Sequence, residues 1–348
     1  MPLRRPEPGS GRGPAGAVER LAAARSSRLP LQTAVAALVA AILLALLSRE
    51  VPPVEVERAL SHATPLLLST AALGAAGFVF MRSWRYLTML SAEGENALPA
   101  ASAPQLVGVT AASWGFGLLL PFAAADLGFV WLSTTRLQVP VERAAAAAVL
   151  ARLLDLSSLC VIALLAAPLA GAALPLSLRL LALVAALGLA AATAALLVAP
   201  SRRRLFQVLA RLPGLGERLA RVDGLLATLA RPRQVAELVL STVAARACTA
   251  VMYMALFAAA GEALDLWQAW FALSVRTLLL GLPVQGLGGL GTSQAWWVLA
   301  LVLLGQPLSR ALPVGVTVHL LDLGVSLPLA ALGSLLLLCR PAPLEERA

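Results

Sequence analysis

Residues 282–296 read LPVQGLGGLGTSQAW. Four glycines, a proline and two glutamines interrupt the longest uncharged run of the chain, Thr277–Ser309. A sequence that builds clean apolar helices elsewhere breaks one here. Whether the break is a loop, a packing motif or part of a site decides what kind of fold surrounds it.

The surroundings are those of a membrane. The 348 residues are 59% hydrophobic and only 13% charged, against about 25% charge in a soluble domain. Uncharged runs recur at Leu29–Ser48, Ala59–Met81, Asn96–Ala125, Leu156–Leu178 and Leu180–Ser201. A bilayer core of about 30 Å takes roughly 20 apolar residues to cross. No stretch shows the roughly 10-residue alternation of an outer-membrane barrel strand. The expected fold class is therefore all-α, a polytopic integral membrane helical bundle. Cys160, Cys248 and Cys339 stand singly in apolar runs, which suits packed thiols better than disulfides.

Every basic residue other than histidine is arginine, and their placement predicts a topology. The tail 1–28 holds six arginines against Glu7 and Glu19 and reads as disordered and cytoplasmic. Residues 29–339 form the transmembrane domain, and 340–348 a short C-terminal tail. Arg82 and Arg85 follow the second apolar run and mark a return to the inside. The connector 202–233 carries eight arginines against Glu217 and Asp223, so it is placed in the cytoplasm. Leucines at helical spacing within it predict amphipathic helices at an anionic lipid surface. Nucleic-acid binding does not follow from this charge, because the charge tracks topology.

Parity then raises a conflict. If 104–120 were a simple span, the connector would fall outside. The conflict disappears if residues 103–143 enter and leave on one side as a re-entrant hairpin, and SWGFGLLLPFAAADLG (113–128) supplies the break. Irregular backbone at membrane depth needs protein or a water-filled cavity around it. The stretch at 282–296 is a second break, approached from the other side. Two interrupted segments in corresponding halves point to an inverted repeat with a site between them, although a three-span reading of 266–338 satisfies parity equally well.

Charges inside apolar runs mark that site, since each costs about 2.5–3.5 kcal/mol on insertion scales. Arg152 and Asp155 lie three apart on one helix face, as do His319 and Asp322. Arg246 and Arg276 stand alone in theirs. Read as structure, these are ion pairs that order packing, Arg152 with Asp155 and Arg246 or Arg276 with Asp322. Read as function, Arg152, Arg246 and Arg276 hold an anionic head group while Asp126, Asp155 and Asp322 balance or gate it. Glycines often serve only close helix packing. Here Gly288, Gly289 and Gly291 lie between Gln285 and Gln294, and a helix restarting at Thr292 aims free N–H groups at a passing anion.

Three patches resemble the lysylphosphatidylglycerol synthase transmembrane, or flippase-like, family. They are LLLPFAAADLGFVWL (118–132), VERAAAAAVLARLLDLSSL (141–159) and LPVQGLGGLGTSQAWWVLALVLLG (282–305). Their order and spacing fit the family over about residues 30–340. The chain departs from its pattern at Ala123 and Phe129, where the family carries basic residues, and at Ser293 and Gln294, where it carries Arg-Glu. Asp126 keeps the family's acid, and Arg136 stands nearby as a basic group. The resemblance implies movement of a lipid or lipid-linked substrate between leaflets. Aminoacyl transfer belongs to a separate soluble domain of the family and is not implied.

The resulting expectation is a translocase of an anionic or polyprenyl-linked lipid in the inner (plasma) membrane, N-terminus cytoplasmic. A chain without lysine has no Walker A motif. No cofactor or metal is called for, because HExxH and paired-cysteine patterns are missing. The alternatives are an intramembrane lipid-modifying enzyme using Asp126 or Asp155, and a non-transporting scaffold.

Overall fold

The computed structural model describes residues 53–91, 98–99, 102–120, 124–172, 174–209, 216–281, 286 and 289–338. The expectations for the tails 1–28 and 340–348 and for the run 29–48 fall outside these residues. The described residues form helices α1 (Pro53–Leu60), α2 (Pro65–Leu90), α3 (Ala103–Leu119), α4 (Ala124–Arg136), α5 (Val141–Leu169) and α6 (Leu176–Leu197). They continue as α7 (Ala199–Leu209), α8 (Gly216–Leu229), α9 (Pro232–Ala259), α10 (Leu266–Leu279), α11 (Thr292–Leu303) and α12 (Leu308–Leu338). No strand occurs among them.

Helix starts follow local chemistry. The Thr64 hydroxyl accepts from the Leu67 N–H ahead of Pro65, and Asp265 with Gln268 forms a capping box on α10. Five helices, α2, α5, α6, α9 and α12, are long and apolar enough to cross a membrane. Helices α3, α4, α10 and α11 have 17, 13, 14 and 12 residues. At 1.5 Å per residue they reach only about 18–26 Å, short of a full crossing.

These short helices pair as two antiparallel hairpins. In the first, a Cβ on Gly117 would lie 2.7 Å from that of Ala125, and Gly128 abuts the Phe116 ring. In the second, Arg276 meets Ser293 while Phe271 packs with Leu303 and Leu304. The run 96–125 is therefore no single span, and 266–338 holds one hairpin and one long helix. Helix α5 begins well before the uncharged run at Leu156, so Arg152 and Asp155 lie in its middle.

The two halves repeat. Pro65 and Pro232 open α2 and α9, Val141 and Leu308 open α5 and α12, and each pair is 167 residues apart. So are the chain's two tyrosines, Tyr86 and Tyr253, and the segments RLLDL (152–156) and HLLDL (319–323). Helices α2 and α9 run antiparallel. Gly74 lies against Met252 and Cys248, Arg85 donates to Thr242 and Thr88 to Glu237. The repeat is thus inverted. The hairpins are exchanged across it, α3 packing on α12 through Gly108 and Gly333 and α10 on α5 through Phe271 and Ala166.

The basic connector folds as α7 and α8. Buried Arg202 donates to Asp223 and to the carbonyls of Leu196 and Leu197, closing the end of α6. Leu225, Leu226 and Leu229 are buried in the main core cluster. The apolar stripe of α8 therefore faces the bundle, whereas Leu205 and Val208 of α7 are exposed.

Candidate functional site

The described ends of both hairpins and the middles of the long helices border one cavity of about 440 Å³. The first hairpin contributes Gly117, Leu120 and Ala124, and the second Leu280, Gly281 and Gly289. The charged wall consists of Arg82, Arg152, Arg246 and Arg276 with Asp126 and Asp155. Its volume lies within the range of small-molecule sites.

Two similar arginine stations stand on this wall around the repeat-related Tyr86 and Tyr253, although Arg82 and Arg276 are not themselves repeat mates. At the first, Arg82 lies 3.7 Å from Asp126 and donates to the Tyr86 hydroxyl at 3.3 Å. The Tyr86 ring stacks on Phe129, centroids 3.7 Å apart. At the second, Arg276 donates to Ser293 Oγ at 3.0 Å, to the Tyr253 hydroxyl at 3.1 Å and to Asp322 at 3.4 Å. Tyr253 packs on Trp297 at 4.7 Å. Asp126 and Ser293 are again 167 residues apart, and Phe129 and Trp297 are 168. The second station thus carries a neutral serine where the first carries a carboxylate. Asp322 supplies its counter-charge from behind, 1% exposed and accepting from Tyr253 and Ser326 as well.

Between the stations, Asp155 joins three helices. Arg85 of α2 clasps it with both terminal nitrogens, at 2.8 and 3.0 Å, and Arg246 of α9 bonds the same carboxylate. Arg246 also donates to Ser158 at 3.1 Å, and Arg85 to Thr242 at 3.2 Å. Charges this deep persist because both arginines reach the same carboxylate and bond hydroxyls beside it, although Arg85 Nε is left without a partner.

The pairing expected within α5 does not form. Asp155 goes to Arg85 and Arg246, which reach it from facing helices with their donor forks aligned. Arg152 stays exposed at the cavity wall. Of the pairings expected for Asp322, the one with Arg276 is present. Arg82 and Arg85, read from sequence as inside markers, belong to the polar interior, Arg85 being 1% exposed.

His319 is 2% exposed, lines the cavity beside Gly289 and occupies the repeat position of Arg152. Gly289 and Gly291 have φ of +66° and +77°, which glycine adopts freely. A Cβ at Gly289 would also lie 3.2 Å from that of Ser293. Gly291 offers no side chain to cap α11, and the first turn, with Ser293 on the cavity, presents the positive end of the helix dipole.

Gln294 is buried one residue further on, beside Gly315 of α12, and does not border the cavity. Arg136 sits in the last turn of α4, about 15 Å along the axis from Asp126, also away from the cavity. Gln285, Gly288 and Ala123 lie outside the described residues. Sequence reasoning missed Arg82, Arg85, Tyr86 and Tyr253 as site residues. The 167-residue spacing was the signal for Tyr86 and Tyr253, whereas Arg82 and Arg85 have Thr249 and Met252 at their repeat positions and carry no such signal.

Among the described residues, five long apolar helices around two exchanged hairpins and a polar cavity define a multi-pass α-helical membrane protein built on an inverted repeat. Residues 33–330 match the family described as the lysylphosphatidylglycerol synthase TM region, and the chain belongs to that family. No curated protein and no solved structure matches it.

Proposed function

We propose that this protein moves an amphipathic lipid with an anionic or polyprenyl-linked head group between leaflets, as a flippase-like transporter without covalent chemistry of its own. The observation that carries the reading is the arginine-lined cavity at which two hairpins of opposite direction meet. Such a cavity gives a head group a polar place at membrane depth while its chains stay in lipid. Arg276, Ser293 and the open first turn of α11 contact the head group on one side, and Arg152 and Arg246 on the other. Asp126, Asp155 and Asp322 keep the arginines in place between ligands. The site lies in the inner, plasma membrane, with the tail 1–28 and connector 202–233 in the cytoplasm by the positive-inside rule. Exposed Arg203 and Arg204 face anionic lipid there.

The test is translocation in proteoliposomes, with head-group-labelled lipids and a membrane-impermeant quencher. Wild type accelerates flipping of at least one anionic or polyprenyl phosphate lipid. Arg152→Gln, checked by size exclusion and melting, slows it about tenfold or more, a barrier change of roughly 1.4 kcal/mol. No protein-dependent flipping across a panel of both lipid classes would sink the proposal.

A further inference from the structure

Among the described residues, the charges around the cavity do not balance. Four arginines line it, Arg82, Arg152, Arg246 and Arg276, against Asp126 and Asp155. Directly behind the wall stand Arg85 and Asp322, one charge of each sign. Counted either way, two positive charges are left over, and they can be located. Arg82 has Asp126 and Arg276 has Asp322. Arg85 and Arg246 share the single carboxylate of Asp155. Arg152, one turn before Asp155 on the same face of α5, faces no carboxylate among the described residues. The surplus therefore sits at Arg246 and Arg152, around one aspartate.

Duplication does not account for it. The repeat position of Arg152 is His319 and that of Arg246 is Val79, each 167 residues away. Neither mate is a permanent cation. The surplus is a feature of this cavity, not an inherited pair, and at membrane depth such charge calls for a counter-ion.

We infer that the cavity takes a phosphate monoester dianion between Arg152 and Arg246. A guanidinium fork matches phosphate oxygens bidentately, and two negative charges cancel the surplus. The inference rests on the lipid-moving reading above and narrows its substrate to lipids ending in a phosphate monoester. Zwitterionic head groups leave the surplus in place. Cationic ones, a lysylated phosphatidylglycerol included, enlarge it.

The test is binding to the purified full chain in detergent, followed by tryptophan fluorescence, since Trp114 lines the cavity. The probes are dioctanoyl phosphatidate, phosphatidylglycerol and phosphatidylcholine, and inorganic phosphate. Above the second phosphate ionisation, near about pH 6, phosphatidate binds about tenfold or more tighter than phosphatidylglycerol, the loss expected for one charge-assisted contact. Arg152→Gln, exposed and without a carboxylate to strand, keeps the wild-type melting temperature and erases that preference. Equal binding of the three lipids, or a preference that survives Arg152→Gln, overturns the inference. Inorganic phosphate binding as tightly as phosphatidate upholds the dianion site and overturns a lipid as its carrier. Binding in detergent needs no translocation, so an intact preference beside failed flipping counts against the transport reading alone.

Discussion

Asp322 is held by Tyr253, Ser326 and Arg276 with almost no exposure. Removing the arginine strands a buried carboxylate, which typically costs about 3–5 kcal/mol, whereas replacing both partners by apolar residues is far milder. Arg276→Ala is therefore expected to lower the melting temperature strongly in detergent, and Arg276→Met with Asp322→Leu to recover much of the loss. A double variant no more stable than the single one would deny that Asp322 depends on this arginine. At this scale the sequence was half legible. Charged residues inside apolar runs announced Arg246, Arg276, Asp155 and Asp322, because such groups need partners. Which arginine serves which carboxylate was not legible, since helix spacing favoured Arg152 for Asp155 and said nothing of facing helices. Arg85 was misread because the apolar run stops at Met81, yet α2 continues to Leu90 with Tyr86, Met89 and Leu90 in the core.

The hairpins depend on how closely their arms approach. Gly128 lies on the Phe116 ring, so Gly128→Ala forces the ring or the arm to move. Overpacking of this kind costs about 1–3 kcal/mol. A second change, Phe116→Leu, frees the space and is expected to restore most of the melting temperature. If Gly128→Ala alone is neutral, the arms of α3 and α4 do not press together as described. Both breaks were legible in the sequence from clustered glycine and proline, and the first is a hairpin of two short helices, as parity led us to expect. Parity left the second open, and helix lengths of 14 and 12 residues decide it. The leucine stripe of α8 shows the limit of periodicity. A stripe fixes that one face is apolar, and only packing shows that Leu225, Leu226 and Leu229 turn to the bundle.

Across the whole molecule, the antiparallel seam of α2 and α9 is where the halves meet. A Cβ at Gly77 would lie 3.5 Å from Cys248 Cβ, at the short end of the disulfide range of about 3.5–4.5 Å. Gly77→Cys is therefore expected to crosslink to Cys248 on mild oxidation, read by mass spectrometry of the digested protein. A crosslink to Cys160 in its place, or none, would contradict the seam. The two interrupted segments pointed to an inverted repeat, but the sequence-level likeness of the halves is thin. It survives mainly in Tyr86 and Tyr253 and in RLLDL and HLLDL, where the site constrains it, and has drifted where only apolar bulk matters.

Arg85, Arg152 and Arg246 are fixed to α2, α5 and α9, helices long enough to cross the bilayer. Their charge stays with the bundle when a ligand leaves. Under the proposed transport, a dianion passing from one leaflet to the other carries its own charge through the membrane voltage, which makes that transport electrogenic. Each charge gains or loses about 2.3 kcal/mol per 100 mV. With the cell interior negative, that work favours outward passage. On that proposal the resting voltage is a source of direction, in a chain whose sequence holds no nucleotide-binding lysine.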